Sequence, residues 1–154
     1  RNWLTRINQE VGPSGHGRNK LRLYKMIKTD FTTEQYCNMI LPLRHRSAFS
    51  KFRLGVAPIR IETGRYEGLR EENRICPFCA NNIVENELHV ILNCEIYKDI
   101  RESLFNKALS QNPEFRNMPD CDKFSFLFSN FNLIRICAKT CFLILQRRQF
   151  LLCK

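Results

Sequence analysis

Four residues of metal-ligand type fall within 19 positions of this chain, in the run ICPFCANNIVENELHVILNC. They read Cys76-x2-Cys79-x9-His89-x4-Cys94. Thiolate and imidazole suit zinc, which takes four ligands tetrahedrally in structural sites. The Cys76/Cys79 pair turns a knuckle, with Pro77 and Phe78 favouring a tight bend. His89 and Cys94 supply the other two bonds, and their spacing constrains the backbone. Five residues along an ideal helix turn through about 500°, so the two side chains diverge by about 140°. The spacing therefore predicts a helix from 84 that stops near Asn93, a residue type tolerated in left-handed caps, with Cys94 swinging back toward the ion. All four positions are filled, which implies one structural Zn²⁺ and no open site for substrate. Apparent binding energies for structural zinc are roughly 10–16 kcal/mol, against about 5–15 kcal/mol for the whole net stability of a domain.

The other five cysteines are Cys37, Cys121, Cys137, Cys141 and Cys153. Cys137 and Cys141 share a helical stripe with Ile134, Ala138 and Leu145, which predicts core packing and no second metal. Twelve Phe residues supply a core that needs no disulfide staples. The cysteine usage is read as that of a reducing, intracellular compartment, nuclear or cytoplasmic.

Charge is the second constraint. The 154 residues carry a net charge of +10. Residues 1–70 hold 14 basic and 5 acidic side chains, a balance of +9, whereas residues 71–110 come to −3 and 111–154 to +4. Such a surplus argues for an anionic partner, nucleic acid first. No stretch reaches the roughly 18 apolar residues of a membrane helix, so no membrane partner is expected. No leader is visible, and the opening Arg1 suggests a piece of something longer.

Periodicity is helical almost throughout, and predicts a mainly α domain organised around the CCHC site with an extended connector. Residues 2–11 read as a short helix, 12–20 as a flexible basic linker, and 19–28 weakly as a helix. Thr32-Thr33-Glu34-Gln35 is a capping box, which predicts a helix ending before Pro42. A helix over about 43–54 ends at Gly55. Residues 56–75 are the expected connector, followed by helices over 84–92, 96–109, 123–129 and 132–150, with 110–122 as a loop. Three segments follow: an N-terminal basic segment (1–42), the basic helix, connector and zinc module (43–110), and a C-terminal loop and long helix (111–154).

Plotted at 100° per residue, the helix LPLRHRSAFSKFRLG has an apolar stripe of His45, Ala48, Phe49 and Phe52. Arg44 and Lys51 lie along one border, Arg46 and Arg53 along the other. Arg60 and Arg65 continue the basic track, with Tyr66 placed to stack on an unpaired base. Basic rows of this kind suit a phosphate backbone, because each contact releases a counterion. Clustered carboxylates for catalytic metals are lacking, and Ser47 and Ser50 have only His45 nearby. Pro119-Asp120-Cys121-Asp122-Lys123 is read as a loop. No catalytic constellation is visible, so the chain is read as a non-enzyme.

The run RHRSAFSKFRLGVAPIRIETGRYEGL, then ICPFC, then VENELHVILNCEIYKDIRESLF resembles a segment near the C-terminus of reverse-transcriptase polyproteins of non-LTR retrotransposons. The likeness covers about two-thirds of the chain. The resemblance implies Cys76, Cys79, His89 and Cys94 as zinc ligands. It also implies an accessory role, holding RNA or DNA for a polymerase or other catalytic domain of the same polyprotein, neither polymerase nor endonuclease being present here. Two rival readings are a zinc-stapled protein-interaction scaffold and the DNA-binding tail of a transposase or recombinase.

Overall fold

A computed structural model describes residue 21 and residues 23–154. The expected helix over 2–11 and linker over 12–20 lie outside the described residues. The fold is mainly helical, and no strand is present among the described residues. Six α-helices are described: α1 (Tyr24–Ile27), α2 (Leu43–Arg53), α3 (Arg60–Tyr66), α4 (Lys98–Gln111), α5 (Asp120–Ser129) and α6 (Phe131–Leu152). No single helix among them is long and apolar enough to cross a membrane.

The long helix α6 is the axis of the fold, and α2, α4 and α5 all pack on it. Its buried side includes Leu133, Ile134, Cys137, Ala138, Cys141 and Ile144. A ladder of rings runs beside it. Tyr36 meets Phe49 edge-on at 5.0 Å, Phe49 stacks on Phe128 at 4.9 Å, and Phe128 stacks on Phe124 at 4.2 Å. His45 rests against Phe142 with ring centroids 5.2 Å apart, a packed histidine as its place on the apolar stripe predicts.

Helix α2 ends as its sequence predicts. Gly55 takes a left-handed φ of 68°, and the Val56 amide reaches back to the Lys51 carbonyl at 2.9 Å, the closing bond of a glycine C-cap.

Three expectations are corrected. The capping box at Thr32 opens no α-helix. Thr32 Oγ1 donates to Asp30 instead, and only a single 3-10 turn, Gln35–Cys37, forms. Glu34, which lies inside the box between Thr32 and Gln35, is drawn toward Lys28 and Arg53, and its own backbone is extended, with ψ 134°. The connector is not extended, because α3 forms within it. Pro119–Lys123 is not a loop but the start of α5, whose first turn gains from Asp120 and Asp122 at the positive end of the helix dipole.

Cys137 and Cys141 are fully buried, and burial pushes the Cys141 thiol well up. Replacing both with Ala is expected to cost about 1–3 kcal/mol with metal content unchanged. Urea unfolding and metal analysis of the same preparation check both halves.

Candidate metal centre

The knuckle is built from backbone first. Ile75 and Val84 form an isolated antiparallel bridge, and the Cys76 amide donates to the Ile83 carbonyl at 2.9 Å. Asn82 turns the chain between them with a φ of 49°, a left-handed position that Asn tolerates. The amides of Phe78 and Cys79 both point at the Cys76 sulfur, and that of Ile96 points at the Cys94 sulfur. Such donors favour a thiolate.

The second ligand pair solves the spacing problem in a way the sequence did not suggest. The expected helix from 84 does not form: Val84 pairs with Ile75, and a tight turn follows in which the Asn86 amide bonds the Val84 carbonyl at 3.0 Å. Asn86 then caps a helical turn, its side-chain oxygen accepting from the His89 amide at 2.8 Å. From His89 to Asn93 the turn widens to a π-helix. The Cys94 amide bonds the His89 carbonyl five residues back at 2.7 Å. A ring closed at i+5 returns the chain above its starting residue, so Cys94 comes back over His89. Asn93 is not left-handed, since Asn82 alone among the described non-glycine residues has a positive φ.

The four ligand atoms all lie within 4.8 Å of one another. Cys76 Sγ is 3.9 Å from Cys94 Sγ, and Cys79 Sγ is 3.5 Å from His89 Nε2. Cys76, Cys94 and His89 are buried and Cys79 is half-buried. The cluster can hold one metal ion, and it is the one such group of His, Cys, Asp and Glu among the described residues. Burial pushes the Cys76 thiol up to about 12, raises Cys94, and lowers His89. Arg101 is buried beside Cys94, hydrogen-bonded to the carbonyls of Tyr97 and Ile91, and offers a compensating positive charge.

Glu85, between the two ligand pairs, is fully buried. Both its oxygens accept from the Arg148 guanidinium of α6, at 3.0 and 2.8 Å. Its Oε2 also accepts from the Arg60 amide at 2.6 Å, and its carbonyl from the Ile61 amide at 3.0 Å. A carboxylate 25 residues away thus satisfies the first amide of α3, which explains why no cap for α3 is visible locally. Arg148 also stands over the Phe78 ring at 5.6 Å. Gly64 completes the fit, because a Cβ there would stand 2.6 Å from Arg74 Cγ, and Arg74 is held by the Leu69 and Ile61 carbonyls.

The basic residues divide sharply. Arg44 and Lys51 are exposed on α2 and have no acidic partner among the described residues. The opposite border is not a surface, which corrects the expectation of two open rows. Arg53 is 4% exposed, donating to Glu34 at 2.6 Å and to the Phe128 carbonyl at 2.7 Å. Arg46 is half-buried and donates to the Met39 carbonyl at 2.7 Å. The stretch from Glu34 to Met39 covers that border. Arg60 is paired with Glu67, and Arg65 with Glu62. Tyr66 is exposed on α3, its hydroxyl donating to Glu62 at 3.1 Å.

No family model, curated protein or solved structure matches the chain.

Removing either member of the Glu85–Arg148 pair strands a buried charge. Glu85→Gln and Arg148→Met are each expected to cost about 3–5 kcal/mol. The double variant should lose clearly less than the sum of the two, which a double-mutant cycle by urea unfolding measures.

Proposed function

We propose that this chain is a zinc-stabilised nucleic-acid-binding accessory module of a mobile-element protein, holding RNA or DNA backbone for a separate catalytic domain. Its role is binding and not catalysis.

Zinc is supported by two of the six edges of the ligand cluster. Bonds of about 2.3 Å to sulfur and about 2.0–2.1 Å to nitrogen, at tetrahedral angles, set edges of roughly 3.8 Å between sulfurs and roughly 3.5 Å between sulfur and nitrogen. The observed 3.9 and 3.5 Å fit both. Three cysteines and one histidine fill four positions, so zinc here is a structural staple.

The observation that carries the binding reading is the charge of two packed helices. Between them α2 and α6 hold eight Lys and Arg residues and not one Asp or Glu. Several of those cations serve the fold, but Arg44, Lys51 and Lys139 are exposed and have no acidic partner among the described residues. Cations without acidic neighbours suit a phosphate backbone, which they hold without reading sequence. The rival scaffold reading draws on Ile40 and Leu43, which are 88% and 79% exposed and near in sequence. Salt separates the two, since phosphate binding weakens steeply as salt rises and apolar docking does not.

Metal analysis of the purified protein should give one zinc per chain, and chelation should unfold the segment from 76 to 94. A metal-free protein with unchanged circular dichroism and melting would count against the site. For binding, Arg44→Ala and Lys51→Ala each remove one cation from the phosphate backbone. Each should lower the magnitude of the log–log salt slope by about 0.7–0.9, across many sequences alike. Arg53→Ala should instead act on folding, lowering the melting midpoint because it takes one of two cations from half-buried Glu34 and orphans the Phe128 carbonyl. Undiminished binding by the Arg44/Lys51 double variant would send the search to another surface.

A further inference from the structure

Beside Arg44 and Lys51 lies an open groove between α2 and α6, about 520 Å³ in volume. Its floor is Ala48, Phe142 and Leu145, and Phe150 stands at its edge. This size lies within the usual range of about 300–1,000 Å³ for ligand sites. No acid lines it. Phe150 is 60% exposed, and Lys154 Nζ sits 4.6 Å from its ring centroid. With one face carrying a cation, the ring has its other face for a flat partner. On α6, Lys139, Phe142, Gln146 and Phe150 fall within roughly 80° of one another around the helix. The exposed Lys139 therefore extends the groove's basic edge.

We propose that this groove binds single-stranded nucleic acid, with phosphates on Arg44 and Lys51 and an unpaired base stacked on Phe150. The proposal rests on the nucleic-acid reading above and adds strandedness and place. The match is one of chemistry. A duplex offers this surface only its phosphates, because its bases are stacked on each other and paired. An apolar floor and an open aromatic face would gain nothing from it. An unpaired strand presents phosphates and bare ring faces together, and a groove with cations beside an aromatic platform matches both. A described lining of cations, amides and apolar groups without an acid favours an anionic occupant. Gln146 and Gln149 add amides at the lining that donate and accept, as base edges require. Tyr66, the aromatic singled out by sequence, stands apart from this groove, on α3.

The test is fluorescence anisotropy with the full zinc-loaded chain and four short probes of equal length. These are unpaired oligo-dT, unpaired oligo-U, a duplex, and an abasic strand with the same phosphates. Unpaired probes should bind more tightly than the duplex and the abasic strand at equal salt. Phe150→Ala should weaken binding of the unpaired probes about tenfold and leave the duplex and the salt slope unchanged. Phe150→Leu, which keeps apolar bulk without the ring, should behave like the Ala variant, and Phe150→Trp should bind as the parent does. Phe150 is exposed, so these variants fold. Three outcomes overturn the proposal. If Phe150→Ala weakens all probes alike or none, or if the abasic strand binds as well as oligo-dT, the groove does not stack bases, though phosphate binding stands. If no probe binds at low salt, both this proposal and the nucleic-acid reading fall. If an acidic amphipathic peptide of Glu and Leu binds at Phe150 and oligo-dT does not displace it, the occupant is a protein segment.

Discussion

Glu85 is a carboxylate with no exposure to solvent, and three parts of the chain meet on it. Its oxygens hold the Arg148 guanidinium from the far end of α6 and the first amide of α3. Its own amide and carbonyl are bound to Arg74 and Ile61. A buried charge is costly unless paired and hydrogen-bonded, and here the partners come from separate elements. The knuckle, the short helix α3 and the long helix α6 therefore have one mutual arrangement in which that charge is satisfied. Arg148 adds a second tie by covering Phe78, one of the two residues between the knuckle cysteines. The Cys/His cluster is thus clamped to the rest of the fold by an ion pair.

This arrangement explains which features were legible in the sequence. The four ligands, the basic helix with its Gly55 stop, the buried stripe of α6 and the packed His45 are all local. Each follows from spacing, periodicity or a single residue type. What was not legible depends on partners far away in the chain. Helix α3 lies in a stretch rich in Gly and Pro, and its first amides are satisfied from position 85. Arg53 and Arg46 look like surface cations on a helical wheel. The segment from 34 to 39 folds against both, and α5 supplies the Phe128 carbonyl to Arg53 as well. The Thr32 capping box opens no α-helix either: Thr32 bonds Asp30 instead, and Glu34 within the box is held by Arg53 from α2. The groove-lining Phe150 left a weak signal. Residues 131–154 contain no acid at all, but which of their cations and rings face outward is set by α2.

Charge in this protein consequently has two roles. Arg148, Arg53, Arg101 and Arg46 bury guanidinium groups where planar, multi-donor geometry can satisfy carbonyls and carboxylates, a use for which Arg is better suited than Lys. The lysines Lys51, Lys139 and Lys154 stay exposed. A net charge of +10 overstates the free surface charge, since several of the arginines counted in it are structural.

The π-helical turn at His89–Asn93 makes this segment unequally tolerant of insertion and deletion. Four residues along an ordinary α-helix turn through about 400°, within about 40° of a full circle. A chain that lost one residue between His89 and Cys94 would keep both ligands on one face simply by relaxing to regular helix. Six residues turn through about 600°. One gained residue would carry the cysteine to the far side, and a further widening of the turn would be needed to return it. Among homologous sequences, length variation here should run toward shorter gaps and not longer ones. The widened turn thus spends one residue more than a regular helix needs to set the two side chains on one face.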